Sequence, residues 1–290
     1  MLSDYFKRIV DHLLFSNLFI SCCAVAQGAM TYLLLAIPMN GTVLVILGCA
    51  TLALYNFSMI LARPQHPAAS PYRRVRWIFR HERSLRFFTA AALLVSGALA
   101  LGLHRPSFVL LGLIGVLGLA YNIPFLPAFK TGRRAGLRQV TGIKVFYIGL
   151  VWALSTVLLP VAEAYHNGFA MNWAQVWQVL TWAFLFVVAI TIPFDIRDIY
   201  QDRYYGLKTV PVLIGVRNAY RLSTALLLLH GGWVLMSGFD WRDRVALCGV
   251  TAIALFSVLK SAKKNEYYYF LLLDGTLIIQ LAALWLIRSA

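Results

Sequence analysis

The sequence predicts an all-α polytopic membrane protein, a bundle of about nine transmembrane helices. Two observations carry that reading. Of 290 residues, 60% are hydrophobic and only 13% charged, against roughly 45–50% and about 25% in soluble domains. Apolar runs close to the ~20 residues that cross a bilayer as a helix also recur along the whole chain. The alternation of a β-barrel is absent, and only helices or closed barrels satisfy their backbone groups within lipid.

Spans are expected, in order, at Leu14–Ile37, Val43–Ala62, Phe87–Leu103, Ser107–Ile123, Thr141–Glu163, Ala174–Pro193, Leu222–Gly238, Val245–Leu259 and Tyr268–Ile287. The start carries Asp4, Lys7, Arg8 and Asp11 and runs into a full-length apolar segment with no small-residue cleavage site, so the first span is expected to be retained. The whole chain, 1–290, reads as a single transmembrane domain.

Lys and Arg are unevenly shared between alternate connections. They crowd the N-terminal segment (Lys7, Arg8) and the loops 63–86, 124–140, 194–221 and 260–267, and they are few at Pro38–Thr42, His104–Pro106, Ala164–Trp173 and Phe239–Arg244. Cations stay on the cytoplasmic side. The expected topology is therefore a cytoplasmic N-terminus and a C-terminus on the opposite side, in the inner (plasma) membrane. The net charge of +15 is accounted for by loops facing anionic lipid rather than by nucleic acid. Cys22, Cys23, Cys49 and Cys248 fall inside apolar runs without metal-type spacing and read as packing residues.

One stretch stands apart. Asp195, Asp198 and Asp202 recur at i, i+3 and i+7, which brings them to one face of a helix. Stacked carboxylates repel unless a counter-charge is present. They sit just after Pro193, at the cytoplasmic end of the sixth span, where ionisable groups are functional candidates. A divalent metal is one counter-charge; Arg197 and Arg203 on a solvated helix end are another. Lys144, about one turn into the fifth span, is unfavourable there by roughly 2–3 kcal/mol unless it snorkels or meets an anion. Asp274, inside the last span, reads as a helix–helix hydrogen-bonding group.

The Asp195–Asp202 block, the following Gly206-Leu207-Lys208-Thr209-Val210-Pro211-Val212-Leu213-Ile214-Gly215, and Tyr121-Asn122-Ile123-Pro124 after the fourth span together resemble the UbiA superfamily of intramembrane prenyltransferases. That resemblance implies a bundle around a lipid-open cavity, in which a prenyl diphosphate binds through Mg2+ and gives its prenyl group to an aromatic or lipid acceptor. Asp195, Asp198 and Asp202 match the family's second metal motif, and Lys208 the lysine beyond it. Tyr121 and Lys130 are weaker matches to a tyrosine-and-lysine segment, and Arg138 and Lys144 flank the fifth span on the same side. The first acidic motif, NDxxDxxxD, is degenerate: Asn56 is kept, while Phe57, Ile60 and Pro64 stand at the aspartates. Guanidinium groups, Arg63 together with Arg73, Arg74 or Arg76, are expected to take over part of the neutralisation, because Arg grips phosphate oxygens bidentately. A non-catalytic isoprenoid-binding relative and a terpene cyclase of the same fold are the alternatives.

Overall fold

The structure is a computed structural model that describes residues 2–70, 72–123, 126–127, 134–135, 140–204, 206–262 and 264–289. Side chains are described for these except 2–6, 122, 126–127 and 134–135.

Thirteen helices form among the described residues: α1 (Leu2–Phe15), α2 (Leu18–Leu34), α3 (Gly41–Leu61), α4 (Arg73–Arg80), α5 (Glu82–Ala100), α6 (Arg105–Asn122), α7 (Lys144–His166), α8 (Trp173–Arg197), α9 (Ile199–Tyr204), α10 (Val210–Ile214), α11 (Val216–Met236), α12 (Trp241–Leu259) and α13 (Glu266–Ser289). A two-residue antiparallel ladder pairs Leu126–Pro127 with Arg134–Ala135. Five helices, α3, α5, α7, α8 and α13, are long and apolar enough to cross a membrane, and the α1/α2 pair makes a sixth if its 64° bend is one broken span. The remaining expected spans fall on α6, which is shorter, and on α11 and α12, of 21 and 19 residues.

The helices form a ring. α2 packs on α3 and α13, α13 on α12, α12 on α11, α11 on α8, α8 on α7, and the middle of α7 returns to α2, while α5 lies outside α3. In α8, 72% of the apolar window is buried, against 28% in α3 and α5; α8 is the central stave. Large apolar side chains such as Phe87, Leu94, Leu101, Val116 and Leu286 are exposed on the outer faces, an arrangement suited to lipid rather than water.

Two local features shape the centre. α1 and α2 bend at Asn17, buried and left-handed at φ 66°, a conformation Asn tolerates better than most non-glycine residues. At Gly149 of α7, a Cβ would lie 2.5 Å from Val188 Cγ2 and 3.2 Å from Phe184 O of α8. Only glycine lets these helices approach so closely, and that approach sets the N-terminus of α7 against the C-terminus of α8.

Candidate functional site

A cavity of about 320 Å³ lies inside the ring. Its wall on α8 is made by Val187, Ile190, Thr191, Phe194, Asp195 and Arg197, with Asp198 just past the helix end; all but Arg197 fall at spacings that return to one helical face. The stripe is apolar towards the middle of the helix and acidic at its C-terminal end. α13 contributes Phe270, Asp274 and Leu277 in the same manner, and Phe19, Ile20, Tyr55, Ile148 and Trp152 complete the apolar part. Charge gathers at the other end, where Arg74, Lys144 and Arg197 meet Asp195 and Asp198. Counting Asp274, three cations face three carboxylates.

The charged end is tightly paired. Lys144 Nζ, at the first residue of α7, lies 2.6 Å from Oδ1 of Asp195, whose side chain is 2% exposed. Oδ2 of Asp195 is buried without a hydrogen bond. Arg197 donates from Nε and Nη2 to the two oxygens of Asp198 at 2.8 and 2.9 Å, while its buried Nη1 has no hydrogen bond. Its guanidinium carbon also sits 5.0 to 5.7 Å from the ring centroids of Phe194, Tyr269 and Phe270. Arg74 enters from α4, 4.7 Å from the Phe270 centroid, and donates from Nη2 to Asn17 Oδ1 at 2.7 Å. Asn17 Nδ2 in turn donates to Asn56 Oδ1 at 2.7 Å. Burial, and then the neighbouring Arg197, push the Arg74 guanidinium down to about 10, which still leaves it charged at neutral pH. Both guanidiniums thus lie against the Phe270 ring, at 4.7 and 5.7 Å, beside the apolar part of the cavity.

α4 is held from both sides. Arg73 is paired with Asp11 of α1, and Asp11 also accepts from Tyr267 at the start of α13. Trp77 stacks on His81, with ring centroids 4.3 Å apart, and packs edge-on against Phe15.

A family model described as the UbiA prenyltransferase family matches residues 73–269. The chain belongs to the UbiA prenyltransferase family. Among curated protein sequences nothing matches significantly. Solved UbiA structures share the fold. A UbiA homolog from Archaeoglobus fulgidus bound to GPP and Mg2+ is 14% identical with a TM-score of 0.65, covering 97% of this chain and 100% of that one. A UbiA homolog from Aeropyrum pernix K1, solved without ligand, is 16% identical with a TM-score of 0.58, covering 97% and 96%. A structure of digeranylgeranylglyceryl phosphate synthase is 13% identical with a TM-score of 0.58, covering 97% and 98%. At these identities the likeness establishes the fold.

Within this UbiA chain the sequence-selected residues fall into two groups. Asp195, Asp198, Lys144 and Tyr121 line the cavity, Tyr121 stacked on Tyr147 with centroids 5.9 Å apart. Lys144 was expected to snorkel or to meet an external anion; its partner is Asp195. Asn56 stands behind the wall, buried, holding Asn17. Asp202 is buried and does not line the cavity, but its charge acts on both Asp195 and Lys144. The helix is interrupted at Asp198 alone, and Asp202 N still donates to Asp198 O at 2.9 Å across that interruption. Among the described residues no three His, Cys, Asp or Glu side chains converge on one point; Mg2+ commonly takes only one or two carboxylates, with phosphate and water oxygens completing its shell. Lys144 and Arg197 neutralise Asp195 and Asp198.

Lys208 is exposed and outside the cavity lining. Its main-chain carbonyl accepts from Gly142 N at 2.7 Å, and the segment around it is a connector: Gly206 and Gly215 adopt φ 68° and 79°, and Pro211 sits in the first turn of α10. Arg63 is spent on Glu82, donating to its two oxygens at 3.2 and 3.0 Å, and Arg76 on Ser70 O, so Arg74 is the loop arginine that reaches the cavity. Lys130, Arg138 and Pro124 lie outside the described residues.

Sequence reasoning underrated two residues. Arg74 shares a helical face with Trp77, Ile78 and His81 at i+3, i+4 and i+7, which would have marked it as inward-facing. Asp274 was expected to bridge helices. Among the described residues its side chain makes no hydrogen bond or ion pair, and only its carbonyl accepts, from the Cys23 thiol at 3.4 Å. The Phe270, Asp274, Leu277 spacing carried that signal.

Proposed function

We propose that the chain transfers the prenyl group of an isoprenyl diphosphate to an acceptor inside the membrane. The observation that carries this reading is the polarity of one cavity, guanidinium and ammonium groups at one end and an aromatic-lined apolar pocket at the other. A prenyl diphosphate has the same polarity. Arg74, Lys144 and Arg197 bind its phosphate oxygens as fixed charges, which stabilise negative charge as it develops on the leaving diphosphate. The stripe from Ile148 and Trp152 to Val187 and Ile190 holds the hydrocarbon out of water. The faces of Tyr55 and Trp152 support the allylic carbon as it becomes cationic.

Mg2+ suits the donors available. Asp195 offers a buried carboxylate oxygen that has no hydrogen bond, and hard oxygen is what Mg2+ takes. Since the lining cations and acids are already equal in number, a diphosphate arriving alone would leave the cavity strongly negative, and an accompanying dication offsets it. Asp195, Asp198 and Asp202 are the residues we assign to hold it, with Arg74 doing what a second metal would have done beside the degenerate Asn56–Pro64 stretch. When bound, Mg2+ supplies Lewis-acid stabilisation of the departing diphosphate. The crowding of cations at loops 63–86, 194–221 and 260–267 supports a cytoplasmic charged mouth in an inner (plasma) membrane.

The test is diphosphate release by the purified protein across prenyl diphosphates of several chain lengths, with and without Mg2+, for wild type and Asp198→Asn. Mg2+-dependent release lost in the variant supports the reading; no release or transfer at any chain length refutes it. The absence of acids at Phe57, Ile60 and Pro64 favours a second reading, a non-catalytic isoprenoid-binding member. Titration with a non-hydrolysable prenyl diphosphate separates the two, because that member binds the analogue without turning over the substrate.

A further inference from the structure

Asp274 stands in the cavity within electrostatic reach of Arg74 and Arg197 but is ion-paired with neither. Asp195 is ion-paired with Lys144 and Asp198 with Arg197, whereas the Asp274 carboxylate has neither hydrogen bond nor ion pair among the described residues. It closes a π-helical turn, Tyr269–Asp274, inside α13; such turns insert an extra residue into the helix and occur often at functional sites. Phe270 before it and Leu277 after it face the same cavity, as do Phe19, Tyr55 and Trp152 from other helices. Trp152 Nε1 donates to the Tyr55 hydroxyl at 3.3 Å, so that indole is already occupied. A carboxylate among such groups is costly to hold, and a purely structural acid would have acquired a partner.

We propose that Asp274 is the proton acceptor for the second substrate. The inference rests on the prenyltransferase reading and names a further catalytic residue of the same cavity. In the step, the allylic carbon–oxygen bond of the prenyl diphosphate breaks and its electron pair leaves with the diphosphate. The acceptor oxygen or ring carbon forms the new bond to that carbon. The proton it loses passes to a carboxylate oxygen of Asp274 and from there to water as product leaves. Bonds and charge balance without an oxidant or reductant.

The test uses the full chain in lipid nanodiscs with Mg2+ and radiolabelled geranyl and geranylgeranyl diphosphate. Acceptor probes are 4-hydroxybenzoate and a total polar lipid extract, and all prenylated product is counted, including the prenyl alcohol formed when water is the acceptor. Asp274→Asn is expected to lower product formation about 100-fold or more, with affinity for geranyl S-thiolodiphosphate within about threefold of wild type. Formate is expected to restore Asp274→Ala at least about tenfold, since a small acid fits the space the side chain leaves. Product formation by Asp274→Asn within about threefold of wild type overturns the proposal. So does a loss of analogue binding that matches the loss of turnover, because Asp274 would then be only a counter-charge to Arg74 and Arg197, and so does an Asp274→Ala loss that formate leaves unchanged. A wild type that binds the analogue and yields no product refutes the transferase reading itself, a result that no Asp274 variant can produce.

Discussion

Replacing Lys144 by Met removes the ammonium that lies 2.6 Å from Asp195 Oδ1 and keeps nearly the same volume. Asp195 is then left with its carboxylate 2% exposed and with Oδ2 already lacking a hydrogen bond. Breaking a buried pair from one side costs about 3–5 kcal/mol, and because Lys144 is 20% exposed the lower bound, about 3 kcal/mol, applies. That is roughly a 150-fold change in the folded-to-unfolded ratio and, at about 2–4 °C per kcal/mol, a Tm lower by about 6–12 °C. Two further measurements give the prediction its meaning. Saturating Mg2+ is expected to raise the Tm of Lys144→Met more than that of wild type, because the dication replaces the lost ammonium; ligand at ten times its Kd contributes about 1.4 kcal/mol. The double variant Lys144→Met, Asp195→Leu is expected to recover most of the loss, since replacing both partners by apolar groups is close to neutral. Thermal unfolding in detergent, followed by circular dichroism, reads all three. A Tm for Lys144→Met within about 2 °C of wild type would mean that the pair carries no stability; a response to Mg2+ equal to that of wild type would remove Asp195 from the metal site.

Arg74→Ala is expected to weaken binding of geranyl S-thiolodiphosphate by about 10- to 150-fold, the worth of a charged hydrogen bond of roughly 1.5–3 kcal/mol. Arg63→Ala, whose side chain is 54% exposed and bound to Glu82, is expected to change it less than about twofold; equal effects in calorimetric titration would refute the choice of Arg74. Asn17→Gly keeps the φ 66° bend accessible while removing both side-chain bonds of the Arg74, Asn17, Asn56 chain, so analogue affinity should fall about tenfold with secondary structure unchanged. An affinity equal to wild type would show that Arg74 is held without Asn17. Gly149→Ala forces α7 away from α8, at about 1–3 kcal/mol, and should lower both Tm and diphosphate release because Lys144 moves with α7. Retention of both would contradict the close approach.

The acids and the helical bundle were legible in the sequence for one reason: both are local. Apolar runs of span length, the concentration of Lys and Arg in alternate connections, and recurrence at helical spacing are properties of neighbouring residues, and the helix turns them into faces without help from the rest of the chain. The same spacing does not say where a helix is interrupted: at Asp198 the chain leaves α8, and Asp202 sits outside the cavity lining while its N–H still bonds Asp198 O. The Gly206–Gly215 block identifies the family through its motif, yet much of its recurring chemistry is turn geometry, which is why Lys208 could be recognised and still be exposed.

What only the tertiary structure decided is which charges meet. Arg73, Arg74 and Arg76 are indistinguishable in composition, but successive helical residues point about 100° apart, and docking of α4 against α1 and α13 sends one to Asp11, one to the cavity and one to Ser70. Asp274 meets Arg74 and Arg197 in a single cavity across 200 and 77 positions of sequence. No local period encodes contacts of that separation; they follow from how the ring closes. The sequence by itself determined a UbiA-type bundle with acids at the end of its central helix. Closure of the ring determined that those acids face Lys144 and Arg197, that Arg74 stands beside them, and that Asp274 faces the pocket with no hydrogen bond or ion pair among the described residues.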